Sequence, residues 1–298
     1  MILLTGAAGK TGKAILNTLI PHGIKVRSLV RNVNQSDEVK KIGSTESVVG
    51  DLRDSSALER AVQGVRKIYF ISPNMTSDEL EIGKNLVHHA KNAGVERFVY
   101  HSVFHPQVED MPHHWQKMRM EEFLFKSGID FTILQPCAYM QNVLANWKTI
   151  TERGVYGVPY ATSARISIID LADVATAAEV VLTQLNHSRA AYELAGPEAL
   201  SQDEVAGIIS AELGKDVRAA ALDRAQWAAD ARSAKLDEQA IQTLLKMFEY
   251  YEKYGLSGNP NVLSFLIKRA PRKFNEFIRQ TIAFEQRPKT NGNNRIDN

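Results

Sequence analysis

The chain has 298 residues, of which 44% are hydrophobic and 23% are charged, and both values are ordinary for a globular protein. Its 36 basic and 34 acidic residues leave a net charge of +2. This balance excludes a general electrostatic attraction for nucleic acid or for an anionic membrane, so any attraction for phosphate must be local.

The first half of the chain alternates short apolar runs with amphipathic stretches. The apolar runs are rich in β-branched or aromatic residues and are bounded by turn residues, as strands are. They occupy residues 2–4, 26–30, 47–49, 68–71, 98–100 and 131–134. Segments of helical periodicity lie between them, at residues 10–19, 55–62, 79–92 and 115–125. This alternation predicts an α/β fold of Rossmann type, with a doubly wound parallel sheet covered by helices on both faces.

The pattern is less regular after about Asn146. Further strands are predicted at residues 164–169 and 192–194, and helices at about 173–182, 201–214, 223–254 and 271–284. Ser201 and Glu204 match a capping box at the start of one of these helices. We predict an NADP-binding Rossmann domain over residues 1–150, with contributions from later segments. A smaller C-terminal α/β lobe, mostly helical, is predicted to bind the substrate and spans residues 151–285. A disordered polar tail is predicted over residues 286–298.

A glycine-rich segment follows the first predicted strand and opens the first predicted helix: Thr5-Gly6-Ala7-Ala8-Gly9-Lys10-Thr11-Gly12. Glycine permits the tight turn and lets a pyrophosphate approach the backbone, and the helix N-terminus then offers unpaired N–H groups. In this context the spacing predicts a dinucleotide site rather than an ordinary glycine-rich turn. The residues expected to contact the cofactor here are Gly6, Ala8, Gly9, Lys10, Thr11 and Gly12.

The end of the second predicted strand distinguishes NADP from NAD. NAD sites usually place a carboxylate there to accept a hydrogen bond from the ribose 2′-hydroxyl. This chain has Arg31 instead, and no acidic residue occurs before Asp37. A guanidinium at Arg31 can pair with a 2′-phosphate, and Lys10 can add a second positive charge. The sequence therefore favours NADPH as the cofactor, with Lys13 and Arg27 as surface residues.

Taken together, the motifs resemble the NmrA-like branch of the atypical short-chain dehydrogenases/reductases, which includes quinone and triphenylmethane-dye reductases. The resemblance runs from Met1 to about Phe284. The segments that carry it are 5–12, 30–32, 50–52, 127–136, 140–142, 170–175, 196–198 and 201–204. It implies a Rossmann domain and a small substrate domain, with the site between them. It also implies cofactor contacts from Asp51, Leu52, Phe70, Ile71, Ser72, Pro136 and Tyr139.

The same resemblance implies a catalytic arrangement with one departure. Active members of the wider superfamily carry a serine and a Tyr-x-x-x-Lys pair, in which the tyrosine donates a proton and the lysine assists it and holds the nicotinamide ribose. Ser102 and Lys117 match the serine and the lysine, but the tyrosine position is His113. This departure puts the usual alcohol-dehydrogenase mechanism in doubt.

Two functions then remain open. In the first, hydride passes from NADPH to a quinone, azo compound or cationic dye, which needs no strong proton donor. His113 or His114 is then a candidate proton donor near neutral pH. Alternatively, catalysis is lost, and the protein senses the NADPH to NADP ratio and binds a protein partner as a co-regulator. A sugar-nucleotide epimerase is less favoured because it would need the missing tyrosine.

Each candidate residue also has a purely structural interpretation. Lys117 could pair with Glu121 on a helix surface, Ser102 could be a polar strand end, and Asp51 could be a turn or capping residue. Four histidines, at positions 101, 105, 113 and 114, suggest a metal site. They lack a recognisable ligand spacing, so no metal is predicted.

The remaining expectations concern partners and location. Aromatic and apolar residues at helical spacing near the C-terminus suggest a wall for a flat apolar substrate, although core or a homodimer face is the more common reason for them. They are Trp227, Met247, Phe248, Tyr250, Tyr251 and Tyr254. One cysteine, Cys137, excludes an intramolecular disulfide and is expected to be unreactive. With no recognisable signal peptide or membrane span, and no nucleic-acid motif, a cytoplasmic protein is expected.

Overall fold

The computed structural model describes residues 1–286. Its strands, in chain order, are β1 (Ile2–Leu4), β2 (Val26–Val30), β3 (Glu46–Val49), β4 (Lys67–Phe70), β5 (Arg97–His101), β6 (Phe131–Pro136), β7 (Ala138–Tyr139), β8 (Val155–Val158), β9 (Ile166–Ile169), β10 (Ala190–Leu194), β11 (Glu198–Leu200) and β12 (Arg218–Ala221). Its α-helices are α1 (Lys10–Leu19), α2 (Val33–Ile42), α3 (Ser55–Val62), α4 (Glu79–Asn92), α5 (Pro112–Ser127), α6 (Trp147–Arg153), α7 (Leu171–Thr183), α8 (Gln202–Leu213), α9 (Arg224–Ser233), α10 (Glu238–Tyr254), α11 (Asn261–Ile267) and α12 (Phe274–Glu285). Short 3₁₀ helices span Ile20–His22 and Met140–Asn146.

Seven parallel strands form one sheet in the order β10-β6-β5-β4-β1-β2-β3. In this sheet Ile2 of β1 is in register with Val26 on one side and with Lys67 on the other. The direction of winding therefore reverses at β1, and the connections that follow β1 and β4 leave the sheet at neighbouring positions. In doubly wound sheets, ligands bind outside the carboxyl ends of the strands at such a point. The predicted Rossmann-type fold is confirmed.

The chain divides into two compact units. The first comprises Met1–Pro136, Leu171–Leu194 and Phe265–Ile267, and it contains the whole seven-stranded sheet. One face of that sheet packs its apolar side chains against α3, α4 and α5, in a cluster that includes fully buried Phe70, Phe98 and Tyr100. Within the same unit α1 packs against α7. Burial of these apolar side chains stabilises the strands and so fixes the positions of the loops that follow their carboxyl ends.

The second unit comprises Cys137–Asp170, Ala195–Ser264 and Lys268 to the end of the described residues. It contains a three-stranded sheet in the order β11-β9-β7 and a parallel pair formed by β8 and β12. Its core gathers Met140, Trp147, Ile209 and Phe274 from separate segments of the chain. Ser201 and Glu204 form both hydrogen bonds of the predicted capping box at the start of α8.

The helices show differences between the prediction and the structure. The helical stretch over 223–254 is wrong as one element: α9 and α10 are separate, Lys235 between them has a positive φ of 61°, and Asp237 caps α10. Helix α2 was not predicted, because it buries only Ser36 and Val39 and leaves Val33 exposed, so it has no apolar period. The predicted tail over 286–298 lies, apart from Gln286, outside the described residues.

Candidate functional site

The glycine-rich loop is a tight turn built at the reversal point of the sheet. Gly6 has a φ of +60°, and the Gly9 N–H donates to the Gly6 carbonyl at 3.0 Å. A Cβ on Gly12 would lie 2.3 Å from the Gly6 carbonyl oxygen and 2.6 Å from the Cα of Ala7. Gly12 is therefore the residue that lets α1 begin directly against the loop. A side chain at this position would displace backbone rather than a movable group.

The N-terminus of α1 is open for an anion. Gly9 is the N-cap and offers no side-chain acceptor, and the first turn contains no acidic residue. The first N–H groups of a helix have no partner within the helix. They point out of α1 beside exposed Gly9 and Lys10, so the loop fits the pyrophosphate of a dinucleotide.

Thr5 fixes the end of β4 beside this loop. Its Oγ1 donates to the Ile71 carbonyl at 2.8 Å and accepts from the Ile71 N–H at 2.8 Å. Ile71 in turn faces Gly6, where an added Cβ would meet its own Cβ at 3.0 Å. The next residue, Ser72, is 8% exposed, and its Oγ has no hydrogen-bond partner within residues 1–286. Ile71 thus lies next to the loop, and Ser72 after it has one buried hydroxyl left for a ligand. Contact of Ile71 and Ser72 with the cofactor stays a prediction.

The basic residues near β2 fall into two groups. Lys13 pairs with Glu38 at 2.6 Å and Arg27 pairs with Glu46 at 2.7 Å, so both charges already have a partner. The Arg27 side chain is 13% exposed, and the prediction of a surface residue is wrong for it. Arg31 and Lys10 are exposed and make no ion pair within residues 1–286. The Arg31 N–H donates to Gln35 Oε1 at 2.9 Å, which holds its backbone at the end of β2 and leaves the guanidinium available.

Asp51 has the turn role that was considered for it. Its Oδ1 accepts from the Arg53 N–H at 2.8 Å, and the side chain that caps α3 belongs to Asp54. Leu52 is half-buried and packs against the apolar cluster of the first unit. Contact of Asp51 and Leu52 with adenine stays a prediction.

Lys117 is not paired with Glu121, and the surface interpretation of this lysine is wrong. Its Nζ donates to Glu79 Oε1 at 2.8 Å and lies 3.4 Å from the His101 carbonyl oxygen. The Glu79 side chain is 5% exposed and the Lys117 side chain 18%. The Tyr100 hydroxyl also donates to Glu79 Oε1, at 2.6 Å. The sequence did not identify Glu79, because an acidic residue in the first turn of a helix usually faces solvent.

Glu121 belongs to a second buried network. Its carboxylate accepts a short hydrogen bond from the Ser102 hydroxyl and two bonds from Gln135 Nε2, at 2.9 and 2.8 Å. Burial raises the pKa of Glu121, while these donors oppose the rise. The one proton of the Ser102 hydroxyl is committed to Glu121, so this geometry ties β5, α5 and β6 together.

His113 and His114 do not titrate near neutrality, and that expectation is wrong. Burial lowers the pKa of His113 to about 3 and that of His114 to about 4, and the nearby positive charge of Lys117 acts in the same direction. Both rings are therefore neutral at pH 7. His114 Nδ1 lies 3.2 Å from the His105 carbonyl oxygen, whereas His113 Nδ1 has no hydrogen-bond partner within residues 1–286.

The remaining predicted residues lie at the ends of strands. Pro136 ends β6 and its carbonyl accepts from the Phe104 N–H at 3.0 Å, while Tyr139 lies in β7 of the second unit. Burial raises the pKa of Cys137 to about 12, so the thiol is not activated.

The C-terminal aromatic residues have mixed environments. Phe248 and Tyr251 are each 7% exposed and both contact the Tyr160 ring, so they are core of the second unit. Tyr254 is 58% exposed. Packing therefore accounts for Phe248 and Tyr251 but not for Tyr254.

Residues 1–286 contain neither a candidate metal cluster nor a candidate membrane-spanning helix. No three His, Cys, Asp or Glu side chains come together in a way that could hold a metal ion. None of the helices in this range is both long and apolar enough to cross a membrane.

Comparison with known proteins gives consistent matches over nearly the whole chain. The sequence model of the NmrA-like family matches residues 1–285. A quinone oxidoreductase 2 of Escherichia coli is 30% identical over 269 residues, covering 90% of this chain and 93% of that protein. An NAD(P)H azoreductase of Xenophilus azovorans is 29% identical over 282 residues, covering 94% and 97%. The crystal structure of an Escherichia coli NADPH-dependent quinone oxidoreductase complexed with NADPH superposes with a TM-score of 0.83 at 28% identity, covering 95% and 100%.

Proposed function

The chain belongs to the NmrA-like family, and from this premise we propose that it is an NADPH-dependent oxidoreductase that reduces quinone, azo or dye acceptors. The observation that carries the proposal is the neutral, half-buried His113 one helical turn before Lys117. A neutral imidazole at this position is a poor acid. Quinones, azo compounds and cationic dyes suit such a site, because they become stabilised anions or neutral products when they accept hydride.

Bound NADPH supplies the hydride, and the residues of the chain bind and orient. The open N-terminus of α1 receives the pyrophosphate, and Arg31 pairs with the 2′-phosphate. Lys117 donates to the nicotinamide ribose. Ser102 has no role in moving a proton, because its hydroxyl is held by Glu121. Orientation and exclusion of water then provide most of the rate enhancement.

The substrate is proposed to be flat and largely apolar, like the quinones and azo compounds that the names of the relatives indicate. The single cysteine, buried and not activated, suits the reducing cytoplasm, where we place the protein. A homodimer stays a prediction, and the exposed ring of Tyr254 is the part of the aromatic stretch that a second copy could contact.

The proposed activity is tested by the loss of NADPH absorbance with purified protein and a panel of quinones, azo dyes and triphenylmethane dyes. We expect turnover on the order of 1 s⁻¹ or faster with at least one acceptor. The binding of NADPH is measured separately by fluorescence. Tight binding without reduction of any acceptor would contradict the reductase and favour the sensor of the NADPH to NADP ratio.

Arg31→Ala is expected to weaken NADPH binding roughly 10- to 100-fold, because a charge-assisted hydrogen bond contributes about 1.5–3 kcal/mol. NADH, which lacks the 2′-phosphate, should bind the variant about as well as it binds the wild type. Arg66→Ala, at an exposed arginine paired with Glu96, is the matched control and should change neither constant. Equal dissociation constants of the wild-type protein for NADPH and NADH would exclude a role for Arg31 in cofactor choice.

A further inference from the structure

Glu79 is a buried acid that accepts two hydrogen bonds on one oxygen. Lys117 Nζ donates to Glu79 Oε1 at 2.8 Å and the Tyr100 hydroxyl donates to the same atom at 2.6 Å. Tyr100 is fully buried, and the Glu79 side chain is 5% exposed. A buried ion pair is costly to desolvate and is a poor source of net stability, so its presence calls for another explanation.

The geometry around Lys117 leaves part of its ammonium group for a ligand. An ammonium has three N–H donors. Within residues 1–286 its acceptors are Glu79 Oε1 and the more distant His101 carbonyl, at 3.4 Å. The ammonium also lies 5.4 Å from the centre of the Tyr100 ring, which restricts it on another side. One N–H therefore remains without a protein acceptor, and its direction is set by the other two contacts.

We propose that Glu79 is a positioning residue, which aims the third N–H of Lys117 at the nicotinamide ribose. This inference rests on the cofactor role that the proposed function gives to Lys117. Glu79 lies on α4 and Lys117 on α5, so their ion pair connects two neighbouring helices of the first unit.

The orientation of the Lys117 ammonium depends on Glu79. Glu79 from α4 is the one direct ionic partner of Lys117 within residues 1–286. The other titratable groups around the ammonium come from β5 and from α5 itself: Tyr100, His101, His113, His114 and Glu121. The three histidines are neutral at pH 7, because burial lowers the pKa of each to about 3 or 4.

The experiment compares Glu79→Gln with the wild-type protein, measuring NADPH dissociation constants by fluorescence. We expect roughly tenfold weaker binding by the variant, the effect of one misdirected charged hydrogen bond. Glu81→Gln, on the exposed face of α4 and paired with Lys84, is the matched control.

A double-mutant cycle separates positioning from a structural effect. Once Lys117→Met has removed the ammonium, adding Glu79→Gln should not weaken NADPH binding further. Two additive losses, or wild-type affinity in Glu79→Gln, would overturn the inference. If Glu79→Gln does not fold, Glu79→Asp keeps the charge but shortens the side chain, and unchanged NADPH affinity in that variant would overturn it equally. Failure of the wild-type protein to reduce any acceptor contradicts the proposed function instead, because the binding measurements do not depend on turnover.

Discussion

Replacing Gly12 with alanine is expected to weaken NADPH binding by about 100-fold or more. The added Cβ would lie 2.3 Å from the Gly6 carbonyl oxygen and 2.6 Å from the Ala7 Cα, and both are backbone atoms that cannot rotate away. The loop must therefore move off the start of α1. Loss of two charge-assisted hydrogen bonds to the pyrophosphate, at about 1.5–3 kcal/mol each, accounts for an effect of this size.

The variant should also lose about 1–3 kcal/mol of unfolding free energy through overpacking, measured by urea denaturation without cofactor. Gly207→Ala is the matched control, because Gly207 lies inside α8 and an added Cβ there meets nothing within 4 Å. That control should be neutral or more stable by up to about 1 kcal/mol. Wild-type NADPH affinity in Gly12→Ala would contradict the tight packing of the loop against α1.

Lys117→Met is expected to lower kcat/KM for NADPH roughly 100-fold and to destabilise the protein by about 3 kcal/mol. The first effect follows from the loss of a charged donor to the ribose. The second follows because Glu79 would remain buried without its cation, which is far more costly than the pair itself. Steady-state kinetics and urea denaturation measure the two effects separately.

Two controls define this prediction. Lys126→Met, on the same helix at an exposed lysine paired with Glu122, should change stability by less than about 1 kcal/mol and should leave turnover unchanged. Adding Glu79→Gln to Lys117→Met should restore part of the lost stability, because the unpaired charge is removed, but it should not restore kcat/KM. Full stability of Lys117→Met would show that Glu79 does not depend on this lysine.

The sequence predicted the sheet well because its strands carry their own signal. Strand β1 is wholly apolar and β4 is apolar after Lys67, as expected for strands buried on both faces. Helix α2 gave no such signal, since little of it is buried. The break between α9 and α10 also escaped detection, because Lys235 adopts a positive φ without glycine or proline to mark it.

The phosphate loop could be predicted from sequence because its residues are contiguous and each glycine has a local steric reason. The buried polar pairs could not, since Lys117 lies 38 positions from Glu79 and the two meet only through the packing of α4 against α5. Spacing along one helix suggested Glu121 as the partner of Lys117. In the folded protein Glu121 instead accepts hydrogen bonds from Ser102 and Gln135. The loss of histidine basicity likewise depends on burial, which no local pattern encodes.

The position of β10 has a consequence for the synthesis of this protein. This strand completes one edge of the seven-stranded sheet beside β6, and α7, which precedes it, covers α1. The ribosome delivers β6 first, and at roughly 5–20 residues per second several seconds pass before β10 emerges. During that interval the nascent chain exposes the unpaired edge of β6 and the uncovered face of α1. Newly made chains are thus vulnerable to aggregation until α7 and β10 have left the exit tunnel, and this interval is when a chaperone is most useful to them.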